Sequence, residues 1–337
     1  MANKYLIIGP AWVGDLIMAQ SLFKFIKLRE PDATLEVMVP EAYLPLLAAM
    51  PEVAKGLPLP FRHGELNILK RRSVGKSLKG ERYTQSIVLP NSWKSALIPF
   101  FAGIKRRIGW KGEARWLLLN DMRRLDKAKL PLMIQRFSAL ALGKREALPS
   151  VLPWPALQVH AESQEAARSK FNLDLSKPIL TLCPGAEFGP AKRWPAEHFA
   201  LLARARQTEG WQIWILGAKG DVAAADEIQS HLPQPALSFA GKTDLAEALA
   251  LLSLSTAVVS NDSGLMHMAN AMKKPTVVVY GSSSPQFTPP LSEKAEIVKL
   301  NLDCQPCFKR TCPLHHLNCL KKLPPSKVLA ALNKVSS

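Results

Sequence analysis

Asp262 and His267 bracket Ser263 and Gly264 in the string Asn261-Asp262-Ser263-Gly264-Leu265-Met266-His267. A carboxylate, a hydroxyl, a glycine and an imidazole at the mouth of a helix are suited to holding an anion. The helix directs its free N–H groups and positive end at one spot, Gly264 lets backbone approach, and His267 falls on the first turn. The plainer alternative is that Asp262 or Ser263 only caps the helix. A second set is Lys192-Arg193, in the string CPGAEFGPAKRWP over residues 183–195. Two cations just before a helix start oppose its macrodipole, and a bound anion would reverse that penalty. The rest of that loop is shaped by Gly185, Gly189 and Pro190, which favours the anion over a merely solvated basic pair. Asp15, beside a third loop, could cap a helix or accept a proton from an attacking hydroxyl. Gly217 opens a fourth loop, placed to touch a nucleoside.

Each of these loops follows a short apolar run and precedes a helical pattern. Residues 4–9, 35–39, 86–89 and 106–110 read as strands in the first half, and 179–183, 212–216, 237–239, 257–260 and 276–280 in the second. Strands alternating with helices imply parallel sheets with right-handed crossovers. Pro149, Pro153 and Pro155 mark a linker. The expected fold is therefore α/β with two Rossmann-like domains facing across a cleft: residues 1–152, residues 153–323, and a terminal helix over 324–337. No GxGxxG follows the first strand, so the dinucleotide fingerprint is missing.

Composition narrows the classes. A hydrophobic share of 47% with 21% charged residues excludes a disordered chain. The longest apolar runs, 97–104 and 248–259, fall short of the ~20 residues a spanning helix needs, and no signal peptide is evident, so a cytoplasmic address is expected. A net charge of +17 calls for an acidic partner: nucleic acid, anionic lipid or a phosphorylated small molecule. Against nucleic acid, no binding motif is recognisable and the basic residues lack interleaved aromatics. Cys183 reads as a buried thiol. Cys304, Cys307, Cys312 and Cys319, spaced C-x2-C-x4-C-x6-C around His315 and His316, could hold a structural Zn²⁺, stay reduced in a loop, or form a redox-sensitive pair.

Five strings together carry a resemblance: Trp12-Val13-Gly14-Asp15, residues 89–121, residues 183–195, residues 261–267 and YGSSSPQFTPPLS over 280–292. They resemble the ADP-heptose:lipopolysaccharide heptosyltransferases of glycosyltransferase family nine, the branch that adds the second inner-core heptose above all. The resemblance implies the two-domain GT-B fold and an inverting, metal-independent transfer that needs no cofactor. Asp15 matches that family's catalytic base, and Lys192, with Arg193, the holder of the donor diphosphate. Asp262, Ser263, Gly264 and His267 match its donor motif, with Gly185 and Gly217 expected beside it. The implied substrates are ADP-heptose and a phosphorylated Kdo-lipid A core acceptor, met at the cytoplasmic face of the inner membrane. Lys94, Arg106, Arg107, Lys111 and Arg115 are the expected acceptor contacts. An enzyme adding the first or a later heptose would share nearly every donor-site residue. The terminal helix is expected to pack back across the domains.

Overall fold

A computed structural model describes residues 2–62, 64–143 and 146–336. The chain divides into two compact units, residues 1–155 and 156–337. The first unit is built on β1 (Lys4–Ile8), β2 (Thr34–Pro40), β3 (Lys55–Leu59), β4 (Gln85–Val88), β5 (Arg106–Trp110) and β6 (Asp121–Arg123), in the order β3-β2-β1-β4-β5-β6. The second has β7 (Ile179–Cys183), β8 (Gln212–Ile215), β9 (Leu237–Ser238), β10 (Ala257–Asn261), β11 (Thr276–Val279) and β12 (Ala295–Val298), in the order β12-β11-β10-β7-β8-β9. All the pairings are parallel, and the two orders are one topology counted from opposite edges.

The central strands are near-continuous apolar runs because helices cover both sheet faces. Every residue of β4, β7, β10 and β11 is buried. The edges differ. β3 carries Pro58 and is partly exposed, which an edge strand tolerates because one side needs no ladder donor. β3, β6 and β12 were not foreseen in the sequence, since short or half-exposed edge strands lack a clear apolar period.

In each unit the strand order reverses between two neighbours, β1 and β4 in the first, β7 and β10 in the second. Ligands of open α/β sheets bind at that reversal, beyond the strands' carboxyl ends. The loops after β1, β4, β7 and β10 are the ones that carry Trp12, Asn91-Ser92, Lys192-Arg193 and Asp262. Topology thus gathers the chemistry-bearing loops of each unit at its own switch point.

The helix Pro325–Ser336 packs on β10, β11, β12 and the helix Ala196–Thr208. Val328 and Leu332 are completely buried in the second unit's core. Its apolar stripe is thus built into the core of the second unit. Among the described residues no helix is long and apolar enough to cross a membrane.

Candidate functional site

In the second unit the site grows from the end of β10. The buried Asn261 accepts a hydrogen bond at Oδ1 from the Trp194 N–H (3.0 Å) and donates from Nδ2 to the Pro184 carbonyl (2.7 Å). One side chain therefore ties together both ends of the loop that carries Lys192 and Arg193. Ser263 caps the helix Gly264–Ala271, its Oγ accepting from the Met266 N–H at 3.3 Å. With the cap assigned to Ser263, Asp262 is left for another role. Its Oδ2 lies 2.5 Å from Lys192 Nζ, with the carboxylate side chain 4% exposed.

His267 is 5% exposed. Burial pushes its pKa down to about 4, the Asp262 carboxylate opposes this in part, and Lys192 adds to it. The imidazole is therefore neutral near pH 7.

Arg193 Nη2 donates to Asp221 Oδ1 (3.3 Å) and to the Ala186 carbonyl (3.4 Å). Asp221 is itself buried, and its Oδ2 accepts from the Ala218 N–H at 2.9 Å. A Cβ built on Gly185 would stand 2.1 Å from Asp221 Oδ2, and one on Gly217 would stand 2.7 Å from Asp221 Cβ. These two glycines, expected beside the donor, are required by the carboxylate packed between them. Neither Asp221 nor Asn261 was singled out from the sequence, because their partners lie 28 and 67 to 77 residues away.

In the first unit a cavity of about 810 Å³ opens at the β1–β4 switch point. Asp15, Asn91, Ser92, Lys94, Arg62, Arg71, Lys127 and Arg136 line it with the aromatic Tyr43, Phe61, Trp110 and Phe137. Asp15 lies inside the first turn of the helix Val13–Arg29, whose N-cap is Trp12, so it is not the capping residue. Of the five expected acceptor cations, Lys94 alone lines this cavity. Arg106 pairs with Asp121 at 3.0 Å, and Arg107 donates to the carbonyls of Leu118 (2.6 Å) and Ile104 (2.5 Å). Lys111 is exposed. Arg115 is wholly buried and donates to the carbonyls of Pro90 (2.6 Å) and Trp110 (2.5 Å) and to Asn91 Oδ1 (3.2 Å). Burial lowers its pKa to about 10, so it stays a cation near neutral pH and braces the loop after β4 from behind. The basic lining comes instead from Arg62, Arg71, Lys127 and Arg136, which a count of charges along the chain could not distinguish from solvated ones.

Cys304, Cys307, Cys312 and Cys319 are free thiols around a pocket of about 20 Å³, together with His316, Leu314 and Leu317. Among the described residues no group of three or more His, Cys, Asp or Glu is arranged to hold a metal ion.

Two six-stranded parallel Rossmann-like units make the two-domain α/β architecture of the GT-B glycosyltransferases. The model of glycosyltransferase family 9 (heptosyltransferase) matches residues 71–318, and the chain belongs to that family. It is 45% identical over 339 residues to lipopolysaccharide heptosyltransferase 2 of Escherichia coli strain K12, an alignment spanning 98% of this chain and 97% of the relative. Lipooligosaccharide heptosyltransferase 2 of Haemophilus influenzae is 46% identical over 88% of each chain. The structure of E. coli ADP-heptose lps heptosyltransferase II superposes with a TM-score of 0.89 at 44% identity, covering 99% of this chain and 98% of the other. A family 9 glycosyltransferase from Veillonella parvula, at 17% identity and a TM-score of 0.85, shares the fold.

Proposed function

We propose that the protein transfers L-glycero-D-manno-heptose from ADP-heptose to the first heptose of the lipopolysaccharide inner core, with inversion at the anomeric carbon and without a divalent metal ion or cofactor. The observation that carries this reading is the cluster of Lys192, Asp262 and neutral His267 at the N-terminus of the helix Gly264–Ala271, in a chain 45% identical to a heptosyltransferase 2 along nearly its whole length. As the bond from the anomeric carbon to ADP breaks, negative charge grows on the leaving phosphate and positive charge on the sugar. Lys192 and the helix N-terminus stabilise that phosphate more as the charge develops, and being preorganised they supply what a metal ion would otherwise supply. Asp15 acts as general base, taking the proton of the acceptor hydroxyl as it attacks.

The cavity around Asp15 suits a phosphorylated sugar acceptor, with cations for the acid groups and aromatic faces for the sugar rings. The phosphorylated Kdo-lipid A core is embedded in an anionic leaflet, and a chain of net charge +17 gains about 1 kcal/mol per Lys or Arg close to such a surface. We place the protein at the cytoplasmic face of the inner membrane as a peripheral enzyme and assign it no nucleic-acid partner. Sedimentation with phosphatidylglycerol vesicles that falls away as salt rises supports that address.

The deciding experiment measures ADP release from ADP-heptose in the presence of EDTA, with a Kdo-lipid A acceptor carrying one heptose and with one carrying none. Turnover confined to the heptose-bearing acceptor is expected. Turnover confined to the bare acceptor makes this a first-heptose enzyme, and loss of turnover on chelation, restored by Mg²⁺, overturns the metal-independent reading.

A further inference from the structure

The cysteine-bearing segment does more than follow the second sheet: it is fastened to the Lys192 loop. The Arg310 carbonyl accepts the Ala191 N–H at 3.1 Å, Ala191 accepts from the Ser282 N–H at 3.1 Å, and Ser282 accepts from the Phe308 N–H at 2.7 Å. Gln305 Nε2 donates to the Gly281 carbonyl at 2.9 Å. Gly189, at φ 149°, lies so close that a Cβ there would stand 2.6 Å from the Arg310 carbonyl oxygen. Backbone contacts thus fix Arg310 within one residue of Lys192.

Both side chains also reach one ring. Lys192 Nζ lies 5.2 Å from the centroid of the Phe188 ring, and Arg310 Cζ lies 5.3 Å from the same centroid. The charges nearby are already matched, Lys192 with Asp262 and Arg193 with Asp221. Among the described residues Arg310 forms no ion pair, and it is exposed. Among the described residues it is therefore the cation of this cluster not matched by a carboxylate.

Resting on the function proposed above, we propose that Arg310 is a third donor-site cation, binding a phosphate of the nucleotide sugar. A guanidinium offers parallel N–H donors to two phosphate oxygens, and contact with the Phe188 ring limits the freedom it loses on binding. The Ala191 N–H is bonded to the Arg310 backbone carbonyl, so the side chain can be removed without unfastening the loop.

The test compares the wild-type protein with Arg310→Ala, Arg310→Lys and Lys309→Ala by calorimetric titration with ADP, AMP and adenosine. Lys309 is the adjacent exposed cation and reports bulk charge alone. Arg310→Ala is expected to raise the Kd for ADP tenfold or more and to leave adenosine unchanged, with Arg310→Lys between and Lys309→Ala near wild type. Equal ADP affinity in Arg310→Ala and wild type, or an equal loss in Lys309→Ala, overturns the proposal. Equal loss for adenosine and ADP also overturns it, because it signals a displaced loop rather than a lost phosphate contact. A wild-type protein that does not bind ADP at all refutes the donor assignment itself, a result distinct from these.

Discussion

Asp262 pairs with Lys192, with 2.5 Å between Oδ2 and Nζ. A lysine so paired is held in place, and a phosphate arriving there finds it oriented. If Lys192 carries the donor phosphate and Asp15 the proton transfer, the two substitutions separate. Lys192→Ala is expected to weaken ADP binding about 10- to 100-fold, the range for one lost charge-assisted contact. Asp15→Asn should lower kcat by about a hundredfold or more with ADP affinity intact. Calorimetry beside steady-state kinetics checks both, and equal losses of ADP affinity would refute the division of roles. His267 sets a pH dependence. Its folded-state pKa of about 4 lies below the ordinary 6.5, so the unfolded chain takes up the proton first as pH falls. The stability it permits is complete above pH 6.5 and is lost progressively towards pH 4, about 2 kcal/mol of it by pH 5. Urea denaturation at pH 7.5 and pH 5 should show this slope in the wild type and a flatter one in His267→Gln. Asp15, Lys192, Asp262 and His267 could be picked out because their types and local spacing announce charge chemistry. Asp221, Asn261 and Arg310 could not, because what makes them matter is a partner in another loop.

At the level of elements, the loops after β7 and β8 interlock through one carboxylate. Gly185→Ala is expected to cost about 1–3 kcal/mol, since the new methyl meets Asp221 Oδ2 at 2.1 Å and something must shift. Asp221→Ala removes that oxygen, so the double variant Gly185→Ala/Asp221→Ala should be less destabilised than the sum of its parts. Gly217→Ala should show no such relief, because its clash is with Asp221 Cβ, which alanine keeps. Urea midpoints of the singles and doubles decide it. The central strands were legible because burial on both faces leaves an unbroken apolar run, as in Thr276–Val279 and Ile179–Cys183. The helix Ile68–Ser77 was not: its apolar residues are sparse, and its Arg71 is buried by donating to the Leu66 (2.6 Å) and Glu65 (2.9 Å) carbonyls. A basic run that reads as solvated surface thus contributes a side chain to the interior and to the cavity wall.

Across the whole molecule, the two units repeat one strand order but close their cores differently. The first has its six strands in place by Arg123. The second depends on Val328 and Leu332, both fully buried, from the helix Pro325–Ser336. Leu332→Ala is expected to destabilise the second unit by about 2–5 kcal/mol and leave the first unchanged, with hydrogen exchange resolved by region as the check. Protection lost evenly across both units would count against that separation. The late position of those core residues also bears on how the chain is born. Synthesis runs at roughly 5–20 residues per second, so the first unit's strands are in hand on the order of ten seconds or more before Leu332 leaves the ribosome. Through that interval the second half is a nascent segment with apolar strands and no finished core, which makes it the part of the chain with the greater call on chaperones.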